Sequence, residues 1–142
     1  MTAKEYLQSV KDADTDIKRM IEDLNMMRET MYSIQGVQIS GDRVQTSSKS
    51  GAKFEGLLSN IDEKEQHISQ KINELIDFKL KVSKQIAGLK NPTHKRVLHM
   101  RYLQFMPWDK IAHELGYNDR YVLDVHGKAL LAFDDKYMNA GG

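Results

Sequence analysis

Cysteine is absent from this 142-residue chain, and proline and tryptophan nearly so, at two and one. Without cysteine there is no disulfide, no thiolate zinc site and no cysteine nucleophile, which suits a reducing compartment. Glycine is also sparse, while charged residues make up 29% and methionine occurs eight times. That balance favours a helix-rich protein over a β-sandwich. No apolar run approaches the roughly 20 residues that cross a bilayer. The N-terminus is charged from Lys4 onward, without an apolar signal segment. The expectation is a soluble intracellular protein with no membrane partner, of one domain or two small ones.

Charge of either sign is also lacking in net terms, at +1. Residues 1–50 carry seven basic and eight acidic side chains, and residues 51–89 six of each. Residues 90–142 carry eight basic and six acidic side chains, with four of the five histidines. The last third is therefore the only basic one, and only mildly so. A protein of this balance that bound nucleic acid would rely on a dimer or a partner to neutralise phosphates.

What is present is helical periodicity. From Thr2 to Ile34, Leu7, Val10, Ile17, Ile21, Leu24 and Met31 step by three, four or seven residues and form one apolar stripe. Thr2 and Glu5 have the spacing of a capping box. Met20, Met26 and Met27 broaden the stripe as flexible core filler. Between Gln35 and Gly51 the periodicity lapses into glycine and serine, which predicts a flexible loop over 35–52. The run SSKSGAK within it lacks the spacing and the preceding strand of a phosphate-binding loop.

The longest periodic run follows. Phe54, Leu58, Ile61, Glu65, Ile68, Ile72, Leu75, Lys79, Val82, Ile86 and Leu89 alternate steps of four and three. This heptad seam predicts a coiled-coil arm over residues 1–89. Leu58, Ile61, Ile68, Ile72, Leu75, Val82 and Ile86 are its candidate oligomerisation residues. The arm would pair with the N-terminal helix, with a second copy in a homodimer, or with both. Ile76 and Leu80 widen the stripe, so the helix can meet more than one neighbour.

Gly88 and Asn91-Pro92 end that helix. A short helix is expected from Thr93 to Leu103, burying Val97, Leu98, Tyr102 and Leu103, then a break at Gln104–Pro107, with Pro107 opening the next helix. In WDKIAHELGYNDRYVLDV, Trp108 to Val125, Ile111, Ala112 and Leu115 line one helix face. Gly116 allows a left-handed turn, Tyr117 fills it, and Val122 and Val125 recur at helical spacing. The pattern is that of a helix-turn-helix, which places its second helix in a DNA major groove; an ordinary helical hairpin is the plainer alternative. The expected organisation is all-α: an arm over 1–89, a helix-turn-helix domain over 90–134 and a flexible tail over 135–142.

The run NPTHKRVLHMRYLQFMPWDKIAHELGYNDRYVLDVHGKALLAF resembles region 4 of bacterial sigma factors, in its VLxxRY, WxxIAxELGY and YVxxxHGKAL segments. With the opening MTAKEYL, the arm and the DRVQTS segment, the chain resembles sigma-region-4-like regulators from phages and prophages of Gram-positive bacteria. These are grouped with late-transcription activators of the RinA and ArpU type. The resemblance implies a regulator of late phage genes in the cytoplasm of a bacterial host, binding double-stranded DNA and touching the host RNA polymerase.

On this reading Asn118 caps the second helix and Asp119 sits at its positive end. The outward face comprises Asp119, Arg120, Leu123, Asp124 and Gly127, with Lys128 at its edge. Arg120 is the candidate for reading guanine. Tyr121 and Asn118 could bond phosphate or a base edge, and Lys110, Lys128, Arg96 and Arg101 could neutralise phosphate. Relatives usually carry Arg, Lys or Gln where this chain has Leu123 and Asp124, and Arg120, Asp124 and Lys128 could instead pair along the helix. No metal site or cofactor is expected, since His94 and His99 are five apart and no HExxH occurs. No nucleophile–base arrangement points to an enzyme. Two other readings remain open: a coiled-coil module docking on a host or phage protein, and a small-terminase-like packaging factor.

Overall fold

The computed structural model describes residues 1–39 and 48–139, with side chains described for 1–34 and 51–139. Among these residues the fold is all-α, with no strand. The helices are α1 (Ala3–Ile39), α2 (Ser48–Ala87), α3 (Pro92–Leu98), α4 (Trp108–Leu115) and α5 (Asp119–Phe133). Two π-helical turns, His99–Leu103 and Asp134–Met138, extend α3 and α5.

Both long helices outrun their expected limits. The predicted loop over 35–52 is helical up to Ile39 and again from Ser48, and the rest of it lies outside the described residues. Isolated Gly36 and Gly51 weaken a helix by only about 1 kcal/mol each, so neither forces an end.

The chain forms two compact units, one of residues 1–14 with 75–142, the other of residues 15–74. This division does not follow the expected boundary after residue 89, because both ends of the chain enter one core. In the first unit that core joins Ala3, Leu7 and Val10 of α1, Val82 and Ile86 of α2, Leu89, Leu98 of α3, Tyr102, and Ala129 and Phe133 of α5. Tyr6 meets Phe78 edge-on, ring centroids 5.5 Å apart, and its hydroxyl donates to Gln85 at 2.7 Å.

Over Asp134–Met138, at the start of the expected tail, the chain forms a π-helical turn whose Tyr137 and Met138 pack on the core. Asp134 accepts a hydrogen bond from the backbone N–H of Ala3 at 2.8 Å and so caps α1 from the far end of the chain. Thr2 caps the same turn, accepting from Glu5 N–H at 3.2 Å. Tyr137 packs on Phe133, and Lys136 donates to the carbonyl of Gly88. A Cβ on Gly88 would clash with the Tyr137 hydroxyl, so glycine there permits the close approach. Residues 140–142 lie outside the described set.

The 15–74 unit is a helical pair with a thinner core. Leu24, Ile61 and Ile68 are buried, with Met20, Met27, Met31 and Leu57 packed around them. Arg28 and Glu65 form an ion pair at 2.6 Å.

These contacts account for the heptad seam. Ile61 and Ile68 are buried in one unit and Val82 and Ile86 in the other, while Leu75 packs on the core of the latter. Those five proposed oligomerisation residues are thus occupied within the chain; Leu58 and Ile72 stay exposed. The two polar seam positions find partners on α1, Glu65 with Arg28 and Lys79 with Asp14 at 4.0 Å.

Candidate functional site: the α4–turn–α5 surface

Each helix here begins and ends for a local reason. Asn91 caps α3, accepting from Thr93 and His94 N–H at 2.8 and 3.2 Å, with Pro92 at the first position where no N–H is needed. The break after the π-helical turn is sharp. Phe105 adopts φ 57°, a left-handed conformation costing a bulky residue about 1–3 kcal/mol. Its ring packs on the core beneath the ammonium groups of Lys79 and Lys11, 5.2 and 5.8 Å from the centroid. Pro107 stands just outside α4 as its cap residue, and Ile111 N–H donates to its carbonyl at 3.1 Å.

α4 ends as its sequence predicts. Gly116 has φ 72° and donates to His113 C=O at 3.3 Å, while Tyr117 N–H reaches Ala112 C=O at 2.9 Å. This is the Schellman pattern, in which a left-handed residue lets the last carbonyls be satisfied. Two residues later Asn118 accepts from Tyr121 N–H at 2.8 Å and starts α5. The short turn holds α4 against α5 through buried Ile111, Ala112 and Val122, with Leu115, Tyr117, Trp108, Met100 and Met106 around them. Val125 is buried as well. The Tyr117 and Tyr121 rings meet edge-on, 4.7 Å apart.

Behind this surface lies a polar aromatic cluster that sequence reasoning missed. His126 is buried, with Nε2 2.6 Å from the Tyr102 hydroxyl and its ring 4.5 Å from Trp108. Burial, then the positive charges of Lys4 and Arg101, push the imidazole pKa down to about 4. Burial also raises the Tyr102 pKa, against the lowering influence of Arg101. Both groups are therefore neutral near pH 7, and the cluster ties α5 to α4 and to the turn before it. No motif marks His126 as inward, but it stands four residues after Val122 and three before Ala129, so helical periodicity along α5 could have found it.

The expected DNA-facing residues divide. Arg120, Asp119, Asp124 and Lys128 of α5, Lys110 of α4 and the cap Asn118 are exposed. Tyr121 and Leu123 are about half exposed, at 49% and 48%. Among the described residues Arg120, Asp124 and Lys128 make no ion pair, so the alternative ladder along α5 is not formed. Arg101 belongs elsewhere: its guanidinium lies over Trp108 at 4.3 Å and donates to Met106 C=O at 3.0 Å, bracing the break before α4. Arg96 is exposed on α3, where it lines a groove with Lys95 and His99. The surface thus offers three cations, two carboxylates and an amide on one capped helix pair. Leu131, 64% exposed, continues the line of Leu123 and Gly127 along α5.

Among the described residues no His, Cys, Asp and Glu group could hold a metal, and no helix is long and apolar enough to cross a membrane. No curated protein and no solved structure matches the chain. Residues 39–132, reaching from the last residue of α1 almost to the end of α5, match the family described as "Protein of unknown function (DUF1492)", and the chain belongs to that family.

Proposed function

We propose that this protein binds double-stranded DNA through α5, with α4 and the turn acting as a helix-turn-helix, and that it regulates transcription as the sigma-region-4 likeness implies. The carrying observation is the capped, tightly closed turn between α4 and α5, together with an Arg120 that is exposed and unpaired among the described residues. In this reading α5 enters the major groove by its N-terminal half. Arg120 reads guanine O6 and N7, Asn118 and Tyr121 contact the backbone or a base edge, and Lys110 and Lys128 meet phosphates. Asp119 and Asp124 repel phosphate, so affinity rests on few cations and on a second DNA-binding partner such as host RNA polymerase or another copy. Activation of late phage genes is the biological setting the likeness suggests.

Exposed Leu123 and Leu131 favour a second reading, in which α5 docks on a protein rather than on DNA. Selection from a pool of random duplexes, followed by gel shifts at low and high salt, separates the two. DNA binding predicts a recovered consensus, affinity falling with salt, and relaxed preference at one position in Arg120→Ala. Failure to shift any duplex at low salt, with or without polymerase, would overturn the first reading.

A further inference from the structure

In the 1–14/75–142 unit, the end of α2 faces α3 and its π-helical turn across a groove of about 360 Å³. That volume lies within the range of small ligand pockets, about 300–1,000 Å³. Its apolar floor is Ile86, Ala87 and Met100, and Lys95, Arg96 and His99 stand around it with no carboxylate in the lining.

The apolar surface continues beyond the groove. Ile76, Leu80, Ser83 and Ala87 follow one another at steps of four, three and four, which places them on one face of α2. Ser83 and Ala87 line the groove, while Ile76 and Leu80 are 50% and 57% exposed. Val82 and Ile86 turn into the core, so the line of Ile76 and Leu80 is a second apolar face that stays uncovered among the described residues. At about 1.5 Å per residue it runs roughly 16 Å, the length of three helical turns.

Charge selects what fits there. Lys84, Lys95 and Arg96 form no ion pair among the described residues. Asp77, next to Ile76, is the one carboxylate on this stretch of α2. An anionic, apolar-faced segment of matching length satisfies both the track and the cations, whereas a basic one meets repulsion at the groove end.

We propose that this face docks an acidic amphipathic helix of a partner protein. Its apolar side chains lie along Ile76 and Leu80 and enter the groove over Ala87 and Met100, and its carboxylates meet Lys84, Lys95 and Arg96. This docking is independent of DNA binding by α5, which uses other residues.

The test uses the full chain and a fluorescein-labelled peptide of about 14 residues, with leucines at helical spacing and glutamates elsewhere. A control peptide replaces every glutamate by lysine. Fluorescence anisotropy should show the acidic peptide binding at least about tenfold more tightly than the basic one, with the difference shrinking at high salt. Lys95→Glu with Arg96→Glu, at a half-buried and an exposed position of α3, should weaken the acidic peptide at least about tenfold while circular dichroism stays unchanged. Leu80→Asp should do the same. Equal binding of the two peptides, no binding of the acidic one, or indifference to the charge reversal would overturn the proposal. So would self-association of the wild-type chain that Leu80→Asp abolishes, which would give the face to a second copy. Displacement of the peptide by a duplex DNA would assign the cations to phosphate and overturn it too.

Discussion

The 15–74 unit and the 1–14/75–142 unit draw on the same two long helices, yet they bury apolar surface to different degrees. In the first, two helices enclose Leu24, Ile61 and Ile68 and rely on half-buried methionines to fill the seam. In the second, α3, α5 and their π-helical turns close around the pair, and Leu7, Val10, Val82, Leu98 and Phe133 lose all or nearly all contact with water. A heptad stripe of even quality thus has uneven energetic weight. Two helices leave even their best-covered seam residues, Leu24, Ile61 and Ile68, slightly exposed, whereas four elements close fully over Leu7, Val10 and Val82.

The comparison is broken most directly by truncating one residue in each core. Phe133→Ala should cost about 3–5 kcal/mol, since the ring is fully buried against Tyr6 of α1 and Tyr137. Leu24→Ala should lie near the low end of the Leu→Ala range, about 2 kcal/mol, because flexible Met20 and Met27 can relax into the space. Urea unfolding of the two variants measures both. Hydrogen exchange should show faster amides in 15–74 than around Phe133, and equal protection would remove the distinction.

A second expectation concerns pH and the larger unit alone. The His126 pKa of about 4 lies below its ordinary 6.5, so the folded state disfavours the proton. Its contribution is complete above pH 6.5 and is lost as pH falls toward 4, by about 3 kcal/mol in all. Unfolding midpoints measured from neutral pH to about pH 4 should drop over that window, and His126→Gln should flatten the drop. A wild-type profile without it would show that the imidazole is not held neutral.

The smallest effect probes the turn. Gly116→Ala should cost about 1 kcal/mol by its left-handed φ alone, since a Cβ there meets nothing within 4 Å. Gly116→Asn, better suited to that conformation, should cost less. Thermal unfolding distinguishes the pair, and equal losses would show that the left-handed φ is not what sets the cost.

Much of this was legible beforehand where short-range chemistry decides. The Asn91 and Asn118 caps, the left-handed Gly116 and the inward Val122 all follow from spacing and residue type. Ile76 and Leu80 were readable as a stripe wider than one neighbour needs. The fate of the seam was not, because the alternation of four and three describes an apolar edge without saying whether the same chain or another covers it. Glu65 and Lys79 read as interruptions until Arg28 and Asp14 appeared beside them. Arg101 illustrates the same limit at the candidate site: a cation beside a tryptophan-led helix could meet phosphate or indole, and its bond to Met106 decides for the interior.

By itself, then, the sequence determined the helical class, the main helix starts and stops, and a capped α4–turn–α5 unit with a mixed-charge outer face. These depend on neighbours a few residues apart, where propensity, capping and periodicity act. Only the tertiary structure decided that Asp134 caps α1, that His126 is buried against Tyr102, and that five of the seven candidate seam residues are covered within the chain while Leu58 and Ile72 are not. Those outcomes join residues tens of positions or more apart, and they turn on which surfaces meet once the chain has folded.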